Sequence, residues 1–133
     1  MPAETRVGIN SAADIVTARQ KGRELALQLG FESLDATLVA AAISEVSRNI
    51  VEYAKRGEII LQPSANGSHQ GLCVVARDNG PGIADVAQAL RYGHSTSRGL
   101  GVGLPGAKLL MDEFDIVSKL GEGTTITMRK WLH

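Results

Sequence analysis

The sequence predicts a two-layer α+β sandwich whose sheet is mixed but largely antiparallel. Two amphipathic helical segments occupy the first half of the chain, and short strands joined by glycine-containing turns dominate the second half. Helices that precede a run of hairpin strands are typical of this class rather than of doubly wound folds. A length of 133 residues suits one domain, residues 1–133, with a single hydrophobic core.

Composition argues against several functional classes. The chain has 14 basic and 14 acidic residues and a formal net charge of +0. Scattered, balanced charge favours neither nucleic acid nor an anionic membrane as a partner. Cys73 is the only cysteine, so no disulfide forms within the chain, and its apolar neighbours indicate a buried side chain. With no apolar run of the roughly 18 residues that span a membrane and no signal-peptide pattern, we expect a cytoplasmic protein.

The first elements are predicted to be an edge strand and a helix. Residues 5–9 alternate polar and apolar side chains, as a half-exposed strand does. Ser11 stands three residues before Asp14 and is a candidate cap for a helix over residues 14–29. Gly30 is expected to end that helix in a left-handed conformation.

The second helix is predicted to open at Ser33 or Asp35 and to reach residue 53 or 54, where Gly57 closes it. Glu45 and Asn49 stand one turn apart and can converge on one small ligand. A carboxylate can position or deprotonate a hydroxyl, and an amide oxygen suits Mg²⁺. A solvated helix face explains the same spacing taken alone. The residues expected to face the core are Val39, Ile43, Val46, Ile50 and Tyr53.

The middle of the chain is predicted to form a hairpin and a long loop. Residues 58–62 and 71–77 have the composition of strands, and residues 63–70 form the turn between them. Residues 80–103 are rich in glycine and poor in periodic apolar side chains, apart from a short helical stretch near 86–90. Because long loops inside small domains are usually functional, we expect this loop to carry part of a binding site.

A carboxylate followed by glycines ends the second hairpin strand, in the segment Asp78-Asn79-Gly80-Pro81-Gly82-Ile83. The strand holds the carboxylate rigidly, and the glycines let a ligand approach the backbone. A buried Asp78 accepts a hydrogen bond from the exocyclic amine of adenine, whereas guanine presents an acceptor at that place. Turn formation alone also explains these residues, so both interpretations stay open.

A second glycine cluster, Gly99-Leu100-Gly101-Val102-Gly103, leads into a helix predicted over residues 104–111. Its free N–H groups and the helix dipole favour a phosphate. Residues 101–106 also match the dinucleotide pattern G-x-G-x-x-G, but no strand is predicted before them, and the sequence has no P-loop motif. The last predicted elements are strands over residues 114–120 and 124–131.

The order and spacing of these clusters resemble the GHKL superfamily of ATPases and kinases over nearly the whole chain. In that superfamily an N box, a D-x-G-x-G box, a glycine-rich lid end and a final G-x-G-T follow one another. The resemblance implies a Bergerat fold, the histidine-kinase-like ATPase fold, that binds Mg²⁺ and ATP. The matching residues are Glu45 and Asn49, then Asp78, Gly80 and Gly82, then Gly99, Gly101 and Gly103, and finally Gly121, Gly123 and Thr124.

The resemblance also implies a role for each cluster. Glu45 is the expected catalytic base or positioning carboxylate, and Asn49 is the expected Mg²⁺ ligand. Asp78 is expected to contact the adenine with support from Thr124. Arg98, with Arg48 as the second candidate, is expected to counter the charge of the γ-phosphate. The other expected nucleotide contacts are Gly80, Gly82, Ile83, Gly99, Leu100, Gly101, Val102 and Gly103.

Size separates the branches of this superfamily. We expect no room in 133 residues for the transducer domain of gyrase-type members or the phosphoacceptor helix of sensor histidine kinases. The chain therefore resembles the stand-alone serine kinases, and most closely the switch kinases of the stressosome. That resemblance implies a serine/threonine protein kinase that phosphorylates STAS-domain scaffold proteins and then activates a PP2C-type phosphatase. The alternatives are an anti-sigma-factor kinase and a nucleotide-dependent binding switch without relevant phosphoryl transfer.

Overall fold

A computed structural model describes residues 4–83 and 103–132 of the chain. Its strands are β1 (Thr5–Ile9), β2 (Gly57–Asn66), β3 (His69–Asp78), β4 (Glu113–Lys119) and β5 (Gly123–Trp131). Its helices are α1 (Ala12–Leu29), α2 (Ser33–Asn49) and α3 (Gly103–Leu110). The five strands form one sheet in the order β1-β2-β3-β5-β4. The predicted α+β class is confirmed, and every strand pair in these two ranges is antiparallel, so the parallel pairs of a mixed sheet are not found there.

The helices cover one face of the sheet and form the core with it. Along β5 every second side chain is buried, which is the period that a strand covered on one face requires. Ile126 and Met128 of β5 are Cα partners of Ala76 and Val74 of β3, and all four are buried. Asp78, the last residue of β3, lies on the same face as Ala76 and Val74. It is therefore on the side of the sheet that the helices cover.

Ser11 and Gly30 stand at the two ends of the first helix, as predicted. The helix begins at Ala12 rather than at residue 14. The Asp14 carboxylate accepts hydrogen bonds from the N–H groups of Asn10 at 2.8 Å and Ser11 at 3.1 Å, as in the returning half of a capping box. Gly30 has a φ of 106° and donates its N–H to the Leu27 carbonyl at 3.1 Å. The left-handed cap is therefore confirmed.

The end of α2 differs from the prediction. Ile50–Ala54 form a π-helical turn, which Lys55, at a φ of 76°, ends by donating its N–H to the Ile50 carbonyl at 2.9 Å. Gly57 was expected to close the helix but instead begins β2. Tyr53 was expected in the core but is 47% exposed, because the wider turn shifts the direction of its side chain. The other expected core residues, Val39, Ile43, Val46 and Ile50, are buried.

The hairpin is longer and its turn shorter than predicted. The pairing of β2 with β3 continues to Asn66 and His69, so the turn holds only Gly67 and Ser68 rather than residues 63–70. Glycine at the first position of a two-residue turn is favourable because it readily takes a positive φ, and the φ of Gly67 is 63°. The predicted helical stretch near 86–90 and most of the predicted loop lie outside the described residues. Within the ranges 4–83 and 103–132, no helix is long and apolar enough to cross a membrane.

Candidate functional site

The end of β3 brings the two residues expected to meet adenine next to each other. Asp78 is the Cα partner of Gly57 in β2 and of Thr124 in β5. Directly opposite residues of antiparallel strands point to the same side of a sheet, here the side of the helices. Asp78 is 8% exposed and Thr124 5% exposed. The register of β3 and β5 therefore brings the cluster that begins at Asp78 next to the last cluster, which ends at Thr124.

The segment after Asp78 is bound to itself and to the β4–β5 turn. Asp78 Oδ1 accepts a hydrogen bond from the Gly80 N–H at 2.9 Å. The Pro81 carbonyl accepts one from the Gly121 N–H at 2.8 Å. The Ile83 N–H donates to Ser118 Oγ at 2.6 Å. Residues 78–83 are thus held against the strand ends rather than left as a free loop.

Two glycines make this close approach of backbones feasible. Gly82 has a φ of 79°, and a Cβ there would collide with the Lys119 carbonyl. Gly123 has a φ of 106°, and a Cβ there would collide with the Asp78 carbonyl. Both conformations are strained for residues that carry a Cβ. These two glycines of the motif are explained by packing between protein segments, independently of any ligand.

Glu45 joins α2 to the beginning of α3. Its Oε1 accepts hydrogen bonds from Arg48 Nη1 at 3.0 Å and from the Gly103 N–H at 3.1 Å. The Glu45 side chain is 13% exposed and that of Arg48 33% exposed. A carboxylate is favourable at this position because the free N–H groups at a helix N-terminus carry partial positive charge. The predicted carboxylate and the last glycine of the predicted phosphate cradle are therefore in direct contact.

Asn49 is the last residue of α2 and is half-buried, one turn after Glu45. Among residues 4–83 and 103–132, no group of three His, Cys, Asp or Glu side chains is placed to hold a metal ion. Mg²⁺ is often bound through one or two protein oxygens, with phosphate and water oxygens completing its shell. The amide oxygen of Asn49 is a donor of the kind that such an ion accepts, and its role as a ligand stays a prediction.

An open cavity of about 560 Å³ borders Asp78 and Asn79 at this end of the sheet. Its other lining residues are Gly8, Ala54, Arg56, Gly57, Glu58 and Arg77. Its volume lies in the range of small-molecule sites. The cavity thus adjoins Asp78 but also extends along the strand ends to the face that carries Glu58 and Arg77.

Several predicted site residues lie outside the described part of the chain: Arg98, Gly99, Leu100, Gly101 and Val102. Their expected contacts with phosphate stay predictions. The structure brings the other predicted residues to two places. Gly80, Gly82 and Ile83 lie with Asp78 and Thr124 at the strand ends, whereas Asn49 and Gly103 lie with Glu45 at the junction of α2 and α3.

Sequence reasoning missed Ser118. Its Oγ lies 2.8 Å from Thr124 Oγ1 and donates to the Gly123 carbonyl at 3.2 Å. Ser118 is also the Cα partner of Thr124 in β4. The alternating pattern of β4 indicates which face Ser118 occupies, but its partner depends on strand register, which the sequence pattern leaves open.

A charge cluster occupies the opposite face of the sheet. Glu58 and Arg77 are Cα partners, and Arg6 also pairs with Glu58 at 3.2 Å. The hydrogen bond from Arg77, helped by the charges of Arg77 and Arg6, holds the pKa of Glu58 below its usual value although partial burial opposes this. The Glu4 carboxylate, with a smaller effect of Glu58, raises the pKa of Arg6. This cluster lies on the face away from α1 and α2.

Comparisons with known proteins agree with the geometry. Residues 10–130 match the family described as "Histidine kinase-like ATPase domain". The chain is 48% identical over 132 residues to "Serine/threonine-protein kinase RsbT" of Bacillus subtilis (strain 168), a match that covers 99% of both chains. Among solved structures, "Mycobacterial sensor histidine kinase MprB" is similar with a TM-score of 0.56 and 14% identity over 97% of each chain. This last similarity concerns the fold.

Proposed function

The chain belongs to the histidine kinase-like ATPase domain family and is a serine/threonine protein kinase; we propose that it phosphorylates a STAS-domain scaffold protein in stress signalling. We propose further that release from this substrate lets the kinase bind and activate a PP2C-type phosphatase. The kinase assignment is supported by the 48% identity to "Serine/threonine-protein kinase RsbT", which extends over 99% of the chain. The substrate and phosphatase are inferred from the resemblance to stressosome switch kinases.

The contact between Glu45 and Gly103 carries the proposed mechanism. It puts a carboxylate at 3.1 Å from a backbone N–H at the start of α3, the end of a helix at which a phosphate is favourable. A hydroxyl that approaches a phosphate there comes within reach of the same carboxylate. Nucleophile, base and phosphate can therefore meet at one point, which is the main requirement of phosphoryl transfer.

The proposed reaction is an in-line displacement. The substrate hydroxyl oxygen forms a bond to the γ-phosphorus while the bond from phosphorus to the bridging oxygen of ADP breaks. Glu45 orients the hydroxyl and accepts its proton, and ADP leaves with the bonding electron pair. Arg48, hydrogen-bonded to Glu45 at 3.0 Å, fixes the direction of the carboxylate. Arg98 counters the charge of the transferred phosphoryl group in this proposal.

Binding of the nucleotide uses both parts of the site. Asp78 accepts a hydrogen bond from the adenine amine, and its burial makes that bond strongly selective. Residues Gly99–Gly103 of the second glycine cluster donate N–H groups to the phosphates. Asn49 would hold a Mg²⁺ ion, which would supply neutralisation of the phosphate charge. The proposed domain extends over residues 1–133.

A labelling experiment tests the proposal. The purified chain is incubated with Mg²⁺, ATP labelled at the γ-phosphate and a STAS-domain protein, beside the Glu45→Gln variant. We expect label on the STAS protein with the unmodified chain and at least about 100-fold less with the variant. The label should survive treatment with acid and be released by alkali, because the phosphate esters of serine and, more slowly, threonine behave in this way.

Three other results would contradict the proposal in different ways. Acid-labile label indicates transfer to histidine. Saturable ATP binding without any label indicates the nucleotide-dependent switch. Label on an anti-sigma-factor antagonist, with none on a stressosome scaffold protein, indicates the anti-sigma-factor branch.

A further inference from the structure

Ser118, Thr124 and Asp78 form one row across three strands. Thr124 is the Cα partner of both Asp78 and Ser118, so the three side chains lie side by side on the face of the sheet that the helices cover. Thr124, in the middle, is 5% exposed. A buried hydroxyl beside a buried carboxylate needs a defined hydrogen-bond direction.

The hydrogen bonds of Ser118 set that direction. Ser118 Oγ has one proton to donate and two lone pairs. It has three neighbours: the Ile83 N–H at 2.6 Å, the Gly123 carbonyl at 3.2 Å and Thr124 Oγ1 at 2.8 Å. An N–H only donates and a carbonyl only accepts. All three bonds coexist only when Ser118 donates its proton to Gly123 and Thr124 donates its own to Ser118.

The reverse arrangement loses a bond. If Ser118 donated to Thr124, the Gly123 carbonyl would lose this donor and the proton of Thr124 would need another acceptor. Thr124 and Asp78 both belong to the described part of the chain, and no hydrogen bond joins their side chains there. Asp78 therefore does not accept the proton of Thr124. The arrangement with the larger number of bonds therefore leaves Thr124 with only lone pairs to offer to a further partner.

We infer that Ser118 is a positioning residue that makes Thr124 a hydrogen-bond acceptor, so that Asp78 and Thr124 together select a 6-amino purine. This inference rests on the proposed binding of adenine at Asp78. An ionised carboxylate accepts and does not donate. The amine of adenine has two N–H groups to give, whereas a 6-keto purine presents a carbonyl oxygen to the same two acceptors. Ser118 acts on this selectivity through Thr124, without touching the base.

Selectivity, rather than affinity, tests the inference. Dissociation constants for ATP and for inosine triphosphate, which has a carbonyl oxygen in place of the amine, are measured with Mg²⁺ by calorimetry. We expect the unmodified chain to prefer ATP. In Ser118→Ala the Thr124 hydroxyl is free to donate, so the ratio of the two constants should fall about tenfold. Ser118→Thr keeps the hydroxyl and should keep the ratio.

The outcomes separate this inference from the proposed function. Equal weakening of both nucleotides in Ser118→Ala, with an unchanged ratio, would show that Ser118 only supports Ile83, and would overturn the inference. Absence of ATP binding in the unmodified chain would overturn the proposed function and with it the inference. If Ser118→Ala does not fold, Ser118→Cys takes its place, because a thiol fills the site but is only a weak hydrogen-bond acceptor: a reduced ratio supports the inference, and an unchanged ratio overturns it.

Discussion

The Glu45 carboxylate and the Gly103 N–H are joined by a 3.1 Å hydrogen bond, although 58 residues separate them along the chain. The bond connects the polar side of α2 to the N-terminus of α3. A phosphate that takes the Gly103 N–H must displace this carboxylate or share the donor with it. Nucleotide binding and the direction of Glu45 are therefore coupled at this one donor.

Glu45→Gln should abolish transfer and keep nucleotide binding. The amide preserves size and still accepts a hydrogen bond from Gly103, but it cannot take the proton of a hydroxyl. We expect transfer to fall about 100- to 10,000-fold, with the ATP dissociation constant changed by less than about tenfold. The control is Glu52→Gln, an exposed glutamate that follows α2. An unchanged rate of transfer by Glu45→Gln would exclude Glu45 as the general base.

Arg48→Gln should slow transfer without destabilising the fold. It removes the guanidinium that lies 3.0 Å from Glu45, so the carboxylate loses one of its two fixed partners. We expect about 100-fold slower transfer from this loss of positioning. The free energy of unfolding should change by less than about 1 kcal/mol, because the ion pair is partly solvated. Single-turnover transfer and urea unfolding measure the two effects, and an unchanged rate would remove Arg48 from the mechanism.

Asp78→Asn should weaken ATP binding about 10- to 100-fold. The asparagine still accepts the Gly80 N–H, which is 2.9 Å from Oδ1 in the present structure, but it loses the charged acceptor for the adenine amine. Calorimetry with ATP measures the effect, and the melting temperature controls for folding. Unchanged affinity would refute the adenine assignment.

Lys130→Met should destabilise the chain by about 1–2 kcal/mol. Lys130 is 7% exposed, and its Nζ donates to the Leu110 carbonyl at the end of α3 at 3.0 Å. Methionine fills the space of the stem but leaves that carbonyl without its donor. Lys108→Met, at an exposed position of α3, is the matched control. Equal stability of the two variants in urea would show that the buried ammonium adds nothing.

The pH dependence of stability should include a contribution from Glu58. Arg77 and Arg6 lower its pKa in the folded chain, so the folded state favours the ionised carboxylate. This contribution is complete above the unfolded pKa of a glutamate, about 4.3, and is lost as pH falls through the lower folded pKa. Glu58→Gln should therefore lower the free energy of unfolding at pH 7 and flatten its decline below about pH 4. An identical decline in both chains would contradict this.

Patterns confined to one element were predicted well from the sequence. The ends of α1 were predicted from the capping preferences of Ser11, Asp14 and Gly30. The alternation of polar and apolar residues along β5 indicates which of its faces is buried. The π-helical turn was missed because hydrophobic periodicity assumes a constant α-helical repeat, and Tyr53 was misplaced with it.

Contacts between distant elements were harder to predict. Asp78 and Thr124 were predicted as site residues from sequence motifs. Their pairing as Cα partners depends on the register of β3 and β5, which the motifs do not give. Ser118 enters the site only through the pairing of β4 with β5, which its own strand does not determine. The bond between Glu45 and Gly103 likewise depends on how α2 and α3 pack.

The β4–β5 turn is bound to the segment after β3 by the hydrogen bond between Gly121 and Pro81. It is therefore a less suitable place for a modification than the β2–β3 turn. Short exposed turns usually accept inserted tags and labels. An insertion beside Gly121 would separate backbones that meet at Gly82 and Gly123, so it would alter ligand binding while the core stays folded. The turn formed by Gly67 and Ser68 lies at the other end of β3, and Ser68 is exposed there. A fluorophore attached to the cysteine of Ser68→Cys would leave the ligand-binding end of the sheet unmodified.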